Sequence, residues 1–314
     1  MTSETRFTAL VAVTLVCGLT VGCGNYSNED LEFMNAVPDR SDLSADLPVR
    51  SPLLAGGEAE LAKSTHQVVK LFNGTLASVL GLVEEIRSYE PTERARDSRI
   101  WGPVAADKQP GWQWRFRMQR EADGSFSYAF ELEPIDGGPD GWMAFISGAF
   151  QPSPGVRRGV GNFTLETTAL RAAAFPFDPD TAKTQSVTVH YSTLAFPTSV
   201  VVDLISYPDY PDVSATNSVH YEYGMQANRD GAMKFTLTGD LIKTTPALEV
   251  VAVTSQWLRT GAGRADLTVL QGDGAGLMQV ECWDDSFNAT YNDKPWVPSE
   301  NTGDPSTCPE IPTL

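Results

Sequence analysis

The sequence predicts a mainly β protein. About eleven strands are expected in an antiparallel meander, curved into an open or closed barrel, with one long N-terminal helix packed on or in its concave face. Three observations predict it. Apolar residues recur at helical spacing over residues 58–89, the period then drops to two from residue 112 to 283, and hairpin-length connections leave no helix-period segment for parallel crossovers.

The chain opens MTSETRF and continues as TALVAVTLVCGLTVG, an uncharged run of about fifteen residues. A membrane-spanning helix needs about 20 apolar residues, so the run fits the apolar part of a secretory signal peptide instead. Cys23 follows in LTVGCGNYSN, behind small residues and ahead of a polar stretch. This resembles the lipobox of bacterial lipoproteins, in which a small residue precedes the cysteine that is lipidated and becomes the new N-terminus. The pattern usually has Leu three positions before the cysteine; here Thr20 stands there and Leu19 is one further back, and Arg6 faces Glu4 in a thin positive region. The resemblance implies cleavage before Cys23, palmitate among its acyl groups and, with Gly24 rather than Asp following, delivery to the outer membrane. Each buried methylene of such chains supplies about 0.8 kcal/mol, so more than one chain makes a durable anchor.

The expected organisation is a signal peptide at 1–22, a lipidated tether at 23–57, a helix and β domain at 58–283, and a tail at 284–314. Net charge is −17, and Glu4 and Arg6 cancel, so the exported chain keeps all of it. Such a chain repels nucleic acid, and no nucleic-acid partner is expected. Of the four cysteines, Cys17 leaves with the signal and Cys23 is modified; Cys282 and Cys308 remain for one disulfide. Closing that loop contributes about 3 kcal/mol by the chain-entropy account.

In the tether, Ser27 is placed to cap a short helix, Asp30 to complete a capping box, and Pro38 to end it. The following SDLSADLP either docks on the domain or holds it off the membrane. Over 58–89, Leu61, Thr65, Val68, Phe72, Thr75, Leu76, Val79, Val83 and Ile86 form one helical face. Val69, Leu71, Leu80 and Leu82 broaden it, Gly74 and Gly81 weaken it, and Pro91 ends it. In WQWRFRMQR, Trp112, Trp114, Phe116 and Met118 alternate with polar residues. The turn ADG leads to SFSYAFELE, where Phe126, Tyr128, Phe130 and Leu132 alternate again. Further strands are expected at 142–150, 159–167, 185–195, 198–206, 218–227, 231–239, 248–258, 262–271 and 276–283. In a meander the connections alternate between two ends. One end would collect Asp136, Asp140, Asp178, Asp180, Asp209, Asp212, Asp240 and Asp273 beside Phe175, Phe177, Tyr207 and Tyr210 as an acidic, aromatic rim.

Catalytic motifs are missing: there is no G-x-S-x-G, H-E-x-x-H, P-loop or zinc-like Cys/His spacing. No enzymatic activity and no cofactor are expected. GVRRGVG (155–161) and GDGAG (272–276) read as turns between strands. His66 lies beside the helical stripe, at its solvent edge. His190 and His220 fall on polar strand faces, where with Glu222 they would form at most a weak metal or acid–base site. Asp178 and Asp180 in FDPDTAKT are the calcium candidates, although Ala182 and Lys183 break the EF-hand pattern and turn-forming Asp is the stronger reading.

The order of tether, long helix and meander over 58–283 resembles the carrier and lipid-binding lipoproteins of bacterial envelopes, in which an open barrel covered by helices holds acyl chains. It rests on element order and shares no residue motif with them. It implies a lipid-anchored, non-catalytic envelope protein that binds or carries a lipid or other hydrophobic ligand. Trp112, Trp114, Phe116, Phe126, Tyr128, Phe130 and Phe72 would line the cavity. Alternation alone says only which face is hidden, and an ordinary core of the same residues, with the helix filling the barrel, is the favoured reading. The alternative is a surface scaffold or interaction lipoprotein with a solid centre, binding a partner, cation or polysaccharide through acidic loops. In both readings the membrane is a partner through the lipid anchor, and no protein partner is named.

Overall fold

A computed structural model describes residues 26–48, 59–106, 109–138, 140–176, 184–208, 216–242 and 248–310. Cys23 and its lipobox, Asp178 and Asp180 lie outside these residues. No helix among the described residues is long and apolar enough to cross a membrane.

Four α-helices and fifteen strands make up the described chain. The helices are α1 (Asn28–Asn35), α2 (Arg40–Leu43), α3 (Glu60–Arg87) and α4 (Thr168–Ala172). The strands are β1 (Glu93–Ala95), β2 (Ser98–Ala105), β3 (Trp112–Arg120), β4 (Phe126–Pro134), β5 (Met143–Pro152), β6 (Gly159–Glu166), β7 (Ser186–Ser192) and β8 (Thr198–Pro208). They continue with β9 (Thr216–Met225), β10 (Gly231–Gly239), β11 (Glu249–Trp257), β12 (Gly263–Gln271), β13 (Met278–Trp283), β14 (Ala289–Asp293) and β15 (Thr302–Gly303). All lie in one sheet in strict sequence order, an antiparallel meander.

The expected β class and meander are therefore present, and three details are resolved. Fifteen strands replace about eleven, because β1, β2, β14 and β15 escape the alternation rule. β2 carries Gly102 and Pro103, a pair that normally excludes a strand; its register shifts between Trp101 and Val104, and Gly102 takes φ +95°. Second, the strand order is that of an open sheet. Third, the 28-residue helix is the third helix, not the first.

Contacts group the residues into two compact units, with α3 contributing its first half to one and its second half to the other. The first unit holds residues up to 43, 74–194 and 202–218. Its α1 begins with the predicted capping box: the Asp30 amide donates to Ser27 Oγ and the Ser27 amide to Asp30 Oδ2, both at 3.0 Å. Phe33 of α1 is fully buried, its ring edge-on to Phe126 at 5.2 Å, with the Arg99 guanidinium 4.7 Å from its centroid. Arg99 donates to Asp30 Oδ1 at 2.5 Å, and both side chains are nearly inaccessible. Arg87, buried at the end of α3, donates to Val37 O and Asp39 Oδ1 at 2.9 Å; Arg157 joins Asp39 and Asp42. Arg40 of α2 meets Glu84 of α3 at 2.8 Å. Residues 26–43 of the segment read as a tether are thus docked. Buried in the same unit are Leu76, Val79, Val83 and Ile86 of α3 and the inward rows of β2–β7. Full burial of each such side chain contributes roughly 1.5–3 kcal/mol.

The second unit holds residues 44–73, 195–201 and 219 onward. Here α3 starts on a strand: the Glu281 carboxylate of β13 accepts from the amide of Glu60 at 2.9 Å and from that of Leu61. These are donors that a helix start leaves unsatisfied. Burial pushes the Glu281 carboxyl above its ordinary value, against those same hydrogen bonds. Thr65 Oγ1 donates to Ser255 Oγ at 2.8 Å in full burial. Trp257 and Trp283 lie across Gly231 and Gly263 of the neighbouring strands, where an added Cβ would stand 2.5 Å and 2.4 Å from indole carbons. The expected Cys282–Cys308 disulfide is present, with Cα atoms 5.3 Å apart. Residues 284–310 are more than a tail, since β14 pairs with β13 and β15 with β14.

Candidate functional site

The aromatic row singled out as ligand lining lies on the inward face of β3 and β4. Trp112, Trp114, Phe116, Phe126, Tyr128 and Phe130 are 0–8% exposed. They meet one another and their neighbours ring to ring: Trp114 with Phe130 at 5.7 Å, Phe116 with Trp101 at 5.5 Å, and Trp112 with Phe175 at 5.0 Å. Phe72 belongs to the second unit, where it is fully buried beside Tyr223 at 5.6 Å. Phe175, expected on a solvent rim, is turned inward behind the short α4, a helix that the sequence pattern does not announce.

The opposite face of the same strands carries a depression of about 320 Å³. It arises because the outward positions there are small. Ser127 and Ala129 on β4 and Ser147 on β5 rise little above the backbone, while Arg117 and Gln119 on β3 and Asn162 and Thr164 on β6 form its walls. Gly148 deepens it from behind: the Tyr128 ring crosses directly beneath, and a Cβ at 148 would sit 2.5 Å from the phenol carbon and oxygen. The Tyr128 hydroxyl donates to Asn162 O at 3.0 Å. Burial raises its pKa, so the phenol stays a neutral donor.

One carboxylate organises the charge. Arg115 Nε donates to Glu131 Oε2 at 2.6 Å, and its guanidinium lies 4.2 Å from the Trp142 ring centroid. Arg117 reaches the other Glu131 oxygen with a single longer bond of 3.3 Å and stays 48% exposed. Two guanidinium groups thus share one carboxylate, and Arg117 is the more loosely held. Gln113 donates to Glu133 Oε1 at 2.6 Å, while Oε2 of that buried residue has no hydrogen-bond partner among the described residues. Along the groove, Ser127 Oγ donates to Glu121 at 2.6 Å, Gln119 Nε2 to Arg120 O at 3.1 Å, and Thr164 pairs with Thr188 at 3.2 Å. The Ser147 hydroxyl and the Asn162 amide make no side-chain hydrogen bond to described residues.

The other marked residues are dispersed. His66 is half-buried: its two ring nitrogens sit 3.1 Å from Ala62 O and 2.9 Å from Pro48 O, and its ring stands 4.5 Å from Phe287. His190 is exposed on β7, opposite Asn162. His220 lies 3.5 Å from Glu222, whose other oxygen accepts from Lys234 at 2.9 Å. Among the described residues no three His, Cys, Asp or Glu side chains gather as a metal site. Asp136, Asp140, Asp240 and Asp273 are exposed, while Phe177, Asp209, Tyr210 and Asp212 of the expected rim lie outside the described residues. GVRRGVG and GDGAG fall at the β5–β6 and β12–β13 connections. The groove itself was legible only in retrospect, as small residues on the outward positions of SYAFELE, ISGAF and GNFTL. Set against protein-family models, curated proteins and solved structures, the chain matches none.

Proposed function

We propose that this protein is a lipid-anchored, non-catalytic envelope protein that recognises its ligand on the outer, polar face of its sheet, around a solid core. The observation that carries this reading is the packing of the six aromatic candidates. They are 0–8% exposed and hold one another at ring-contact distances, so they act as core. Acylation of Cys23, as its lipobox-like setting implies, adds a geometric consequence. Tyr26, whose hydroxyl donates to Ser88 O at 2.8 Å, is already docked three residues later. Three residues span at most about 11 Å, so the first unit would be held close to the lipid surface.

A second reading, a carrier of acyl chains, is favoured by the same aromatic row if the helix covers a space able to open. Organic extraction of the purified full chain followed by mass spectrometry separates the two. A solid core predicts no stoichiometric acyl lipid beyond the covalent anchor; a co-purifying lipid at one per chain would overturn the recognition reading.

A further inference from the structure

We infer that the groove on β3–β6 is a binding site for an acidic saccharide, a uronate unit of an oligosaccharide, with the sugar carboxylate on Arg117 and its hydroxyls on Ser147 and Asn162. The inference rests on the polar face being the recognition surface.

Size sets the first limit. A depression of about 320 Å³ stands at the lower end of small-molecule sites and takes one or two sugar rings, not a folded partner. Polarity sets the second. The free groups are a hydroxyl on Ser147 and a primary amide on Asn162, each able to donate and accept. Sugar hydroxyls need that mixture. A phosphate or sulfate would want donors alone and would leave the acceptor oxygens of both groups unmatched. Charge sets the third. Glu131 is engaged by Arg115 at 2.6 Å, whereas Arg117 spends one bond at 3.3 Å and keeps the rest of its planar fork accessible. A carboxylate matches that fork with two parallel hydrogen bonds. Among the described residues Arg117 is the one cation lining the groove and fits one carboxylate per sugar unit, while the net charge of −17 disfavours dense polyanions. A neutral sugar would leave the guanidinium unused.

The test is calorimetric titration of the full chain with tri-galacturonate, the neutral galactose trimer, sodium acetate and an acidic tripeptide at equal ionic strength. The acidic trimer is expected to bind at least tenfold more tightly than the neutral one, and acetate not measurably. Arg117→Gln should weaken it at least tenfold, and Ala129→Phe, which fills the floor, should abolish it, with both variants melting like the parent. Equal binding of both trimers, an acidic peptide bound as tightly as the sugar, or no binding of the acidic trimer at about 1 mM would each overturn the inference. The trimer comparison needs no variant, so a folding defect cannot mask the answer. Lipid extraction from the same preparation reports separately on the recognition reading, which fails only if stoichiometric lipid appears.

Discussion

Replacing Asp30 with Asn removes the anion that fastens α1 to the sheet. Asp30 is 1% exposed; it accepts from Arg99 at 2.5 Å and Arg94 at 3.3 Å while closing the capping box with Ser27. Burial alone would raise its pKa, but the hydrogen bonds from Arg99, Ser27 and Arg94 outweigh it and hold the carboxyl at about 2, against an ordinary 3.8. That depression corresponds to about 2 kcal/mol of stability. The sign follows from the folded value being the lower one: the contribution is complete above about pH 4 and disappears as pH falls through about 2. The substitution also leaves Arg99, 2% exposed, with only Glu29 at 3.2 Å and backbone carbonyls as partners, so the total cost at pH 7 should reach about 3 kcal/mol. Urea unfolding of parent and variant at pH 7 and at pH 2.5 measures it. The difference should be about 3 kcal/mol at pH 7 and distinctly smaller at low pH. A difference below about 1 kcal/mol, or one independent of pH, would refute the claim that a buried ion pair docks α1.

Other outcomes follow from single contacts. Gly81→Ala in α3 should stabilise by about 1 kcal/mol in thermal unfolding, since nothing lies within 4 Å of the added Cβ. Cys308→Ser should cost about 3 kcal/mol by opening the 26-residue loop, measured by denaturant midpoint with the parent under reducing conditions as the control. Gly148→Val should cost about 2 kcal/mol or more, because its Cβ would collide with the Tyr128 ring; the added loss relative to Ala149→Val, on the outward face, is the reading.

What the sequence disclosed and what it hid have physical causes. The helix expected over 58–89 runs Glu60–Arg87, and the capping box at Ser27 is formed, because both depend on local spacing. β3 to β13 coincide with the eleven runs of period two, since one hidden face imposes alternation. β2 was concealed by Gly102–Pro103, whose bulge restores pairing on either side. β14 and β15 are too short to show a period, and the five-residue α4 likewise. The groove stayed hidden for a different reason: it is made by the smallness of Ala129, Ser147 and Gly148, and alternation identifies a polar face without revealing its depth. The docking of 26–43 depends on long-range ion pairs, Asp30 to Arg99 and Asp42 to Arg157, which no local pattern encodes.

The most direct test of a solid core is a single truncation on β3. Phe116 is fully buried and faces inward, and truncation to Ala should cost about 3–5 kcal/mol in urea unfolding, as expected where packed atoms are lost. A cost within about 1 kcal/mol, the range of an unpacked or solvent-filled lining, would contradict it.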